Sequence, residues 1–270
     1  MKKEELRRAL TAAVTAARSA GRVMRKNLHA PKIVNEESQH DIKLELDVRC
    51  QKLIERTLRR AFPAIALLGE EGESGAVASA CRWVVDPIDG TVNYAHTMPH
   101  AAVSIALQVR TNAAQARRVV TDQDFVTVLG VVFDPFTDEL WTALRGEPAR
   151  LNGRPIRVSR RATLGEAVIS IGFSKTKSNL SRSLPLFCSL SRRARKIRIM
   201  GSAALALAYV ATGRFDGYLE RRISLWDVAA GGLLVECAGG KFLTKPIAGY
   251  HRYSMVASNG RLGGRFNKPV

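Results

Sequence analysis

The sequence predicts a layered sandwich of the α/β or α+β class. Helix-period and strand-period segments interleave from one end to the other, and neither an internal repeat nor a low-complexity tract interrupts them. The chain has 270 residues, of which 46% are hydrophobic and 24% charged. That is ample apolar material for a large core and an ordinary balance for a globular protein.

The elements follow in order. Leu6, Leu10, Val14, Ala17 and Gly21 recur at helical spacing, and Glu4 and Glu5 stand in the first turn, where the helix dipole favours acids. The basic N-terminal stretch therefore reads as an amphipathic first helix and not as an Arg-rich targeting segment. Residues 41–47 alternate polar and apolar, a short half-exposed strand or turn. A second helix is predicted over 48–62, with Leu53, Ile54, Leu58 and Phe62 on one face and Pro63 ending it. Short apolar runs at 65–68 and 83–85 precede longer strand patterns at 101–109, 126–133 and 140–143. The polar, basic stretch from Thr111 to Asp124 is long for a hairpin, and predicts a protruding arm or a local elaboration. Leu151-Asn152-Gly153-Arg154-Pro155 is a turn that introduces a second half. There a strand is predicted at 168–171, a small-residue helix from Gly201-Ser202-Ala203-Ala204 to near Gly213, and a strand at 218–219. A last helix follows Asp227 and ends at Gly239-Gly240.

Lys and Arg total 42 against 24 Asp and Glu, a net charge of +18. Such a balance favours anionic partners, whether phosphorylated metabolites, nucleic acid or an acidic membrane surface, and does not choose among them. Cys50, Cys81, Cys188 and Cys237 lie far apart with no CxxC pairing, which argues against a disulfide scaffold or a structural zinc site. No apolar run approaches the roughly 18–20 residues of a membrane span. The expectation is a cytoplasmic protein that does not enter a membrane.

The chemistry concentrates in Trp83-Val84-Val85-Asp86-Pro87-Ile88-Asp89-Gly90-Thr91. A short buried strand delivers Asp86 to its end, and Pro87 forbids the ladder from continuing. Asp89 arrives three residues later, so both carboxylates can face one point. Gly90 lets the backbone approach a ligand, and Thr91 can begin a helix whose free N–H groups face an anion. Two carboxylates beside a helix start suit a phosphate bridged by a hard divalent cation. Upstream stand Glu70 and Glu71 after an apolar run; downstream, Leu225-Trp226-Asp227-Val228-Ala229-Ala230-Gly231 puts an acid where a helix begins. Taken singly, each has a plainer reading: Asp-Gly as a turn, Glu70-Glu71 as a solvated loop, Asp227 as an N-cap. No GxSxG elbow, GxxxxGK[ST] loop or strand-linked GxGxxG is present, which argues against a serine hydrolase, an NTPase and a dinucleotide enzyme.

The Gly69-Glu70-Glu71, DPIDGT and WDVAAG signatures, in this order, resemble the inositol monophosphatase family, with matching stretches from the first helix to the strand near Met255. The resemblance implies an αβαβα layered sandwich of the inositol monophosphatase and fructose-1,6-bisphosphatase type, in the α+β class. It also implies an α+β half over residues 1–145 carrying the metal motifs and an α/β half over 146–270 carrying WDVAAG and the substrate-side loop, together one catalytic unit. It implies a Mg²⁺-dependent, lithium-sensitive phosphomonoesterase, a homodimer with two or three Mg²⁺ per site.

Carried over residue by residue, the resemblance gives Glu70, Asp86 and the Ile88 carbonyl to a first metal, and Asp86, Asp89 and Asp227 to a second. Glu70 joins Thr91 and Asp47 in the catalytic set, the latter two positioning the attacking water. The Gly90 and Thr91 amides cradle the phosphate, with Asp89 and Asp227 also bordering substrate. Gly201, Ser202 and Ala203 flank the sugar ring, and Glu220 accepts a substrate hydroxyl; its plainer reading is a surface charge beside Arg221 or Arg222. Val92-Asn93-Tyr94 after the motif resembles the inositol and sugar phosphatase version, so a small phosphorylated polyol or sugar is the expected substrate. The family usually carries a Lys where Glu36 stands, and Lys32 and Lys43 are the candidates to replace it. His96 and His100 are expected at the surface or behind the site, and Asp41 is expected to be structural. Two alternatives stay open. One is a phosphatase of nucleotide 3′-phosphates or of fructose 1,6-bisphosphate. The other is a nucleic-acid-binding protein, suggested by the basic run at 192–198 and the +18 charge.

Overall fold

A computed structural model describes residues 1–37, 42–75, 80–111, 121–122, 125–173 and 177–267. Asp41 and most of the Thr111–Asp124 arm lie outside the described residues.

Helix α1 (Lys3–Asn27) buries Ala9, Ala13, Ala16, Ala17, Ala20, Gly21 and Met24. Leu6, Leu10 and Val14 of the predicted stripe pack half-buried beside this face of small residues. The small side chains let the helix lie close to the sheet: a Cβ at Gly21 would come within 2.5 Å of the Phe133 ring. The antiparallel pair of β1 (Val34–Glu37) and β2 (Ile42–Leu44) precedes α2 (Glu45–Ala61). That helix starts three residues before its predicted position, because the Asp47 carboxylate reaches back to accept the Leu44 N–H at 2.7 Å and closes the first turn. Asp47 thus lies inside the helix, at its third position.

The first sheet contains β3 (Ala66–Gly69), β4 (Gly72–Ser74), β5 (Cys81–Asp89), β6 (Ala102–Arg110) and β7 (Thr121–Asp122). It continues through β8 (Phe125–Asp134), β9 (Glu139–Leu144), β10 (Arg150–Leu151) and β11 (Arg154–Pro155). Its order is β11-β10-β9-β8-β6-β5-β3-β4, with β7 also paired to β8. The turn at Asn152-Gly153 joins β10 to β11, and this hairpin extends the first sheet to Pro155. The short helix α3 (Thr91–Ala95) leaves the end of β5.

The second sheet contains β12 (Val168–Ile171), β13 (Lys196–Arg198), β14 (Gly217–Ser224), β15 (Lys241–Pro246) and β16 (Arg252–Ser258), in the order β13-β12-β14-β16-β15. Helix α4 (Lys177–Arg193) covers its outer face, setting Leu186 and Leu190 against Ile169, Ile171, Leu219 and Val256. Helices α5 (Ala203–Ala211) and α6 (Leu225–Cys237) fill the space between the two sheets, and most of their side chains are buried. Small residues make that layer thin: a Cβ at Gly130 of β8 would stand 2.7 Å from the Ala230 carbonyl oxygen of α6. The layers run α1/α2, first sheet, α5/α6, second sheet, α4, the αβαβα sandwich that the resemblance implied. Among the described residues no helix is long and apolar enough to cross a membrane.

Candidate functional site

β5 does not stop at Pro87. Asp86 pairs with Ser104 and Asp89 with Ala102, with an irregularity between them. Pro87 lacks a ladder donor, so the chain bulges there, and the Ile88 N–H turns inward to the Asp86 Oδ1 at 3.0 Å. The bulge, not a strand end, brings Asp86 and Asp89 to one side. Gly90 follows with φ +94, and a Cβ there would stand 3.0 Å from the His100 carbonyl oxygen and 3.1 Å from that of Gly201. Asn93 staples the same two loops, donating to the His100 and Met200 carbonyls at 2.9 Å each.

Asp227 comes from the start of α6. The N-cap there is Ser224, and Asp227, at the third helical position, accepts the Ser224 N–H at 2.9 Å. The expected alternative of Asp227 as N-cap is therefore corrected: the helix begins at Leu225. Asp86, Asp89 and Asp227 each offer an oxygen, and these lie within 4.8 Å of one another. Glu70 follows β3, its N–H held by the Val85 carbonyl at 3.1 Å and its side chain hydrogen-bonded to Asp86. Asp47 is close enough to raise the pKa of both Glu70 and Asp86. The Thr91 hydroxyl donates to the Ile88 carbonyl at 2.8 Å, so the hydrogen bond it gives is to Ile88 and not to Asp47.

Burial, reinforced by neighbouring carboxylates, holds Glu70 and Asp86 well above the usual carboxylate range. Burial lifts Asp227 to about 7, with Asp89 adding to the effect. Burial likewise lifts Asp89, but only to about 6, because donors from the start of α5 oppose it. The Ser202 hydroxyl and the Ala204 N–H (2.8 Å) meet Asp89 Oδ2, and the Ala203 N–H meets Oδ1 at 3.2 Å. Ser202 and Ala203, expected beside a sugar ring, thus also orient a carboxylate. An all-oxygen set of converging acids whose charged forms oppose one another fits a hard divalent cation.

These acids line a cavity of about 440 Å³, with Gly90, Thr91, Gly201, Ser202, Ala203 and Glu220 also on its wall. Glu220 faces this cavity, so its reading as a surface charge is set aside. Its Oε2 accepts the Tyr218 hydroxyl, and burial raises its carboxyl to about 8. A Cβ at Gly172 would overlap the Glu220 carboxylate, so that glycine makes its room. Tyr218, Gly172, Ser170 and Phe173 were not legible as site residues, since only strand pairing brings them to the cavity. Lys32 is occupied at the end of α1, donating to the carbonyls of Asn27, Leu28 and Ala30 at 2.9, 2.6 and 2.8 Å. Lys43 stands 3.6 Å from Glu36 Oε2 and within electrostatic reach of Glu71 and Glu70. His96 is exposed, His100 packs against Tyr209 with ring centroids 6.1 Å apart, and neither joins the acidic cluster. The basic run at Arg192, Arg193, Arg195, Lys196 and Arg198 is exposed along the end of α4 and the edge strand β13.

Comparison with known proteins agrees with this geometry. Nus factor SuhB of Pseudomonas aeruginosa is 39% identical over 252 residues, covering 90% of this chain and 87% of that protein. Inositol-1-monophosphatase of Rhizobium meliloti is 42% identical over 198 residues, covering 73% of this chain and 69% of its own. The crystal structure of the extragenic suppressor protein suhB from Bartonella henselae superposes with a TM-score of 0.82 at 34% identity, covering 93% of each chain. The profile of the inositol monophosphatase family matches residues 5–258. With that match spanning nearly the whole sandwich and every residue of the acidic cluster, the chain belongs to the inositol monophosphatase family.

Proposed function

We propose that the protein is a Mg²⁺-dependent phosphomonoesterase acting on inositol monophosphate or a related polyol or sugar phosphate. The observation that carries the reading is the convergence of Asp86, Asp89 and Asp227 in a cavity that Glu70 and Glu220 also line. Glu70, Asp86, the Ile88 carbonyl, Asp89 and Asp227 would hold the cations. Bound there, divalent cations neutralise phosphoryl oxygens and acidify water at neutral pH.

The chain's own groups do the rest. The hydroxyl hydrogen of Thr91 is committed to Ile88, so its oxygen can only accept, which suits holding an attacking water by one of its protons. Asp47, fixed by the Leu44 N–H, supplies a second negative group near Glu70 and Asp86. The Gly90 and Thr91 amides, at the start of α3 on the cavity wall, would donate to phosphate oxygens. Glu220 accepts a ring hydroxyl, which separates polyol esters from simple ones. No covalent intermediate is needed.

The test is phosphate release from a panel of inositol, sugar, nucleotide and aryl phosphates with Mg²⁺, with and without lithium. Preference for polyol esters and inhibition by lithium support the reading; preference for nucleotide 3′-phosphates or fructose 1,6-bisphosphate moves the substrate within the fold. A second reading, nucleic-acid binding, rests on the exposed cations at 192–198 and the +18 charge. A steep fall of RNA affinity with salt, lost on charge reversal of Arg192, Arg193 and Arg195, is its support.

A further inference from the structure

We infer that Arg252 is a positioning residue for Asp227, acting through Ser224; the inference rests on the reading of Asp227 as a metal ligand. Arg252 and Ser224 are register partners on the antiparallel strands β16 and β14. The Arg252 Nη1 donates to the Ser224 Oγ at 2.5 Å. The Ser224 side chain also bears on the Asp227 carboxylate, favouring its ionised form, and the Ser224 N–H donates to the Asp227 Oδ2 at 2.9 Å. Ser224 is therefore held by Arg252 on one side and holds Asp227 on the other.

The turn before β16 is shaped around the arginine. Gly249 has φ +120, and a Cβ there would stand 3.0 Å from the Arg252 Cγ. The Ile247 N–H is bound to the Arg252 carbonyl and the Leu225 N–H to the His251 carbonyl, each at 3.0 Å. The second of these ties the turn to the first residue of α6. Arg252 is not among the residues that line the cavity. Its charge nevertheless reaches Asp227 and Glu220, favouring their ionised forms. No motif in the sequence marks this residue.

The guanidinium has two effects on a cation at Asp227, and they have opposite signs. As a like charge it repels the cation. As a donor it anchors Ser224 and, through the Ser224 N–H, the direction of the Asp227 carboxylate. Groups that orient metal ligands from behind are worth about 10–100-fold in metal affinity, so positioning is expected to win.

The experiment is calorimetric titration of metal-stripped protein with Mg²⁺ alone, for wild type, R252M, R252K, S224A and R252M/S224A, with thermal melts confirming folding. Weaker Mg²⁺ binding in R252M by about tenfold or more, at least partial recovery in R252K, and a double variant no worse than S224A support the inference. Equal or tighter binding in folded R252M overturns it, as does strict additivity of R252M with S224A. If R252M does not fold, R252K and S224A decide: wild-type affinity in S224A overturns the inference, and weakened affinity supports it. Mg²⁺ uptake by wild type without ester hydrolysis refutes the phosphatase reading while leaving Arg252 its role. No uptake by wild type overturns both.

Discussion

Asp89→Asn separates the two tasks that Asp89 performs. The carboxylate is a member of the acidic cluster and also receives the Ser202 hydroxyl and the Ala203 and Ala204 amides at the head of α5. Its carboxyl sits at about 6. Against an ordinary value near 4, that is a penalty on the charged form of about 3 kcal/mol at neutral pH. Asparagine removes the penalty. It keeps one acceptor for Ser202 and Ala204 but turns its amide towards the Ala203 N–H, leaving that donor unsatisfied at a cost of about 1–3 kcal/mol. The two nearly cancel, so the metal-free variant should melt within a few degrees of wild type, given about 2–4 °C per kcal/mol in a chain of this size. Mg²⁺ should then fail to raise the melting temperature as it does in wild type, and kcat should fall by at least ~10²-fold, the scale of losing a key electrostatic stabiliser. Thermal melts of chelator-stripped protein with and without Mg²⁺, beside phosphate release, check both halves. A folded variant with near-normal turnover and a normal Mg²⁺ response would refute the cluster as the metal site.

Three further outcomes are expected. Asp89, Asp227 and Glu220 keep their protons to about 6, 7 and 8, against about 3.9–4.3 in the unfolded chain. The native state therefore binds more protons across that window, and the stability these groups contribute, full below about pH 4, is lost as pH rises through 6 to 8. Metal-stripped protein should melt lower at pH 8 than at pH 6, with Mg²⁺ restoring more at pH 8; the opposite order contradicts the assigned pKa directions. Assayed above pH 8, where Glu220 is ionised, Glu220→Gln should lower kcat/KM for inositol or sugar phosphates about fivefold to thirtyfold, equivalent to about 1–2 kcal/mol, and leave an aryl phosphate nearly unchanged. An equal fall for both substrates would make Glu220 part of the metal site. Gly172→Ala drives a methyl group into the Glu220 carboxylate, so it should mimic Glu220→Gln in that ratio; an unchanged ratio in folded protein argues against Glu220 as the polyol acceptor.

The layers and the acidic motifs were legible because both are local. Short apolar runs with turn residues between them mark strands, and DPIDGT and WDVAAG each occupy a handful of consecutive positions. What escaped the sequence depends on distant pairings. Ser202 meets Asp89 across 113 positions, and Gly172 meets Glu220 only because β12 and β14 run parallel in register. Boundaries moved where a carboxylate reached backwards. Asp47 and Asp227 both occupy third helical positions and both accept the N–H three residues before them, so both helices begin earlier than apolar periodicity suggested. Pro87 was a sound signal of a missing ladder donor, but the strand absorbs it as a bulge and carries on to Asp89. In α1 the predicted stripe faces the core, with Ala17 and Gly21 buried and Leu6, Leu10 and Val14 half-buried. Ala9, Ala13, Ala16 and Ala20 nevertheless form most of the buried face, because close approach to the sheet excludes larger side chains.

The central claim is that the cluster of Asp86, Asp89 and Asp227, with Glu70, makes a divalent-cation-dependent phosphatase. Its most direct test is inorganic phosphate release from inositol 1-phosphate by chelator-stripped protein as Mg²⁺ is added back. The account predicts no turnover before addition and a saturable rise with Mg²⁺ that EDTA reverses. Turnover that is full in the stripped protein and indifferent to both Mg²⁺ and EDTA would contradict it.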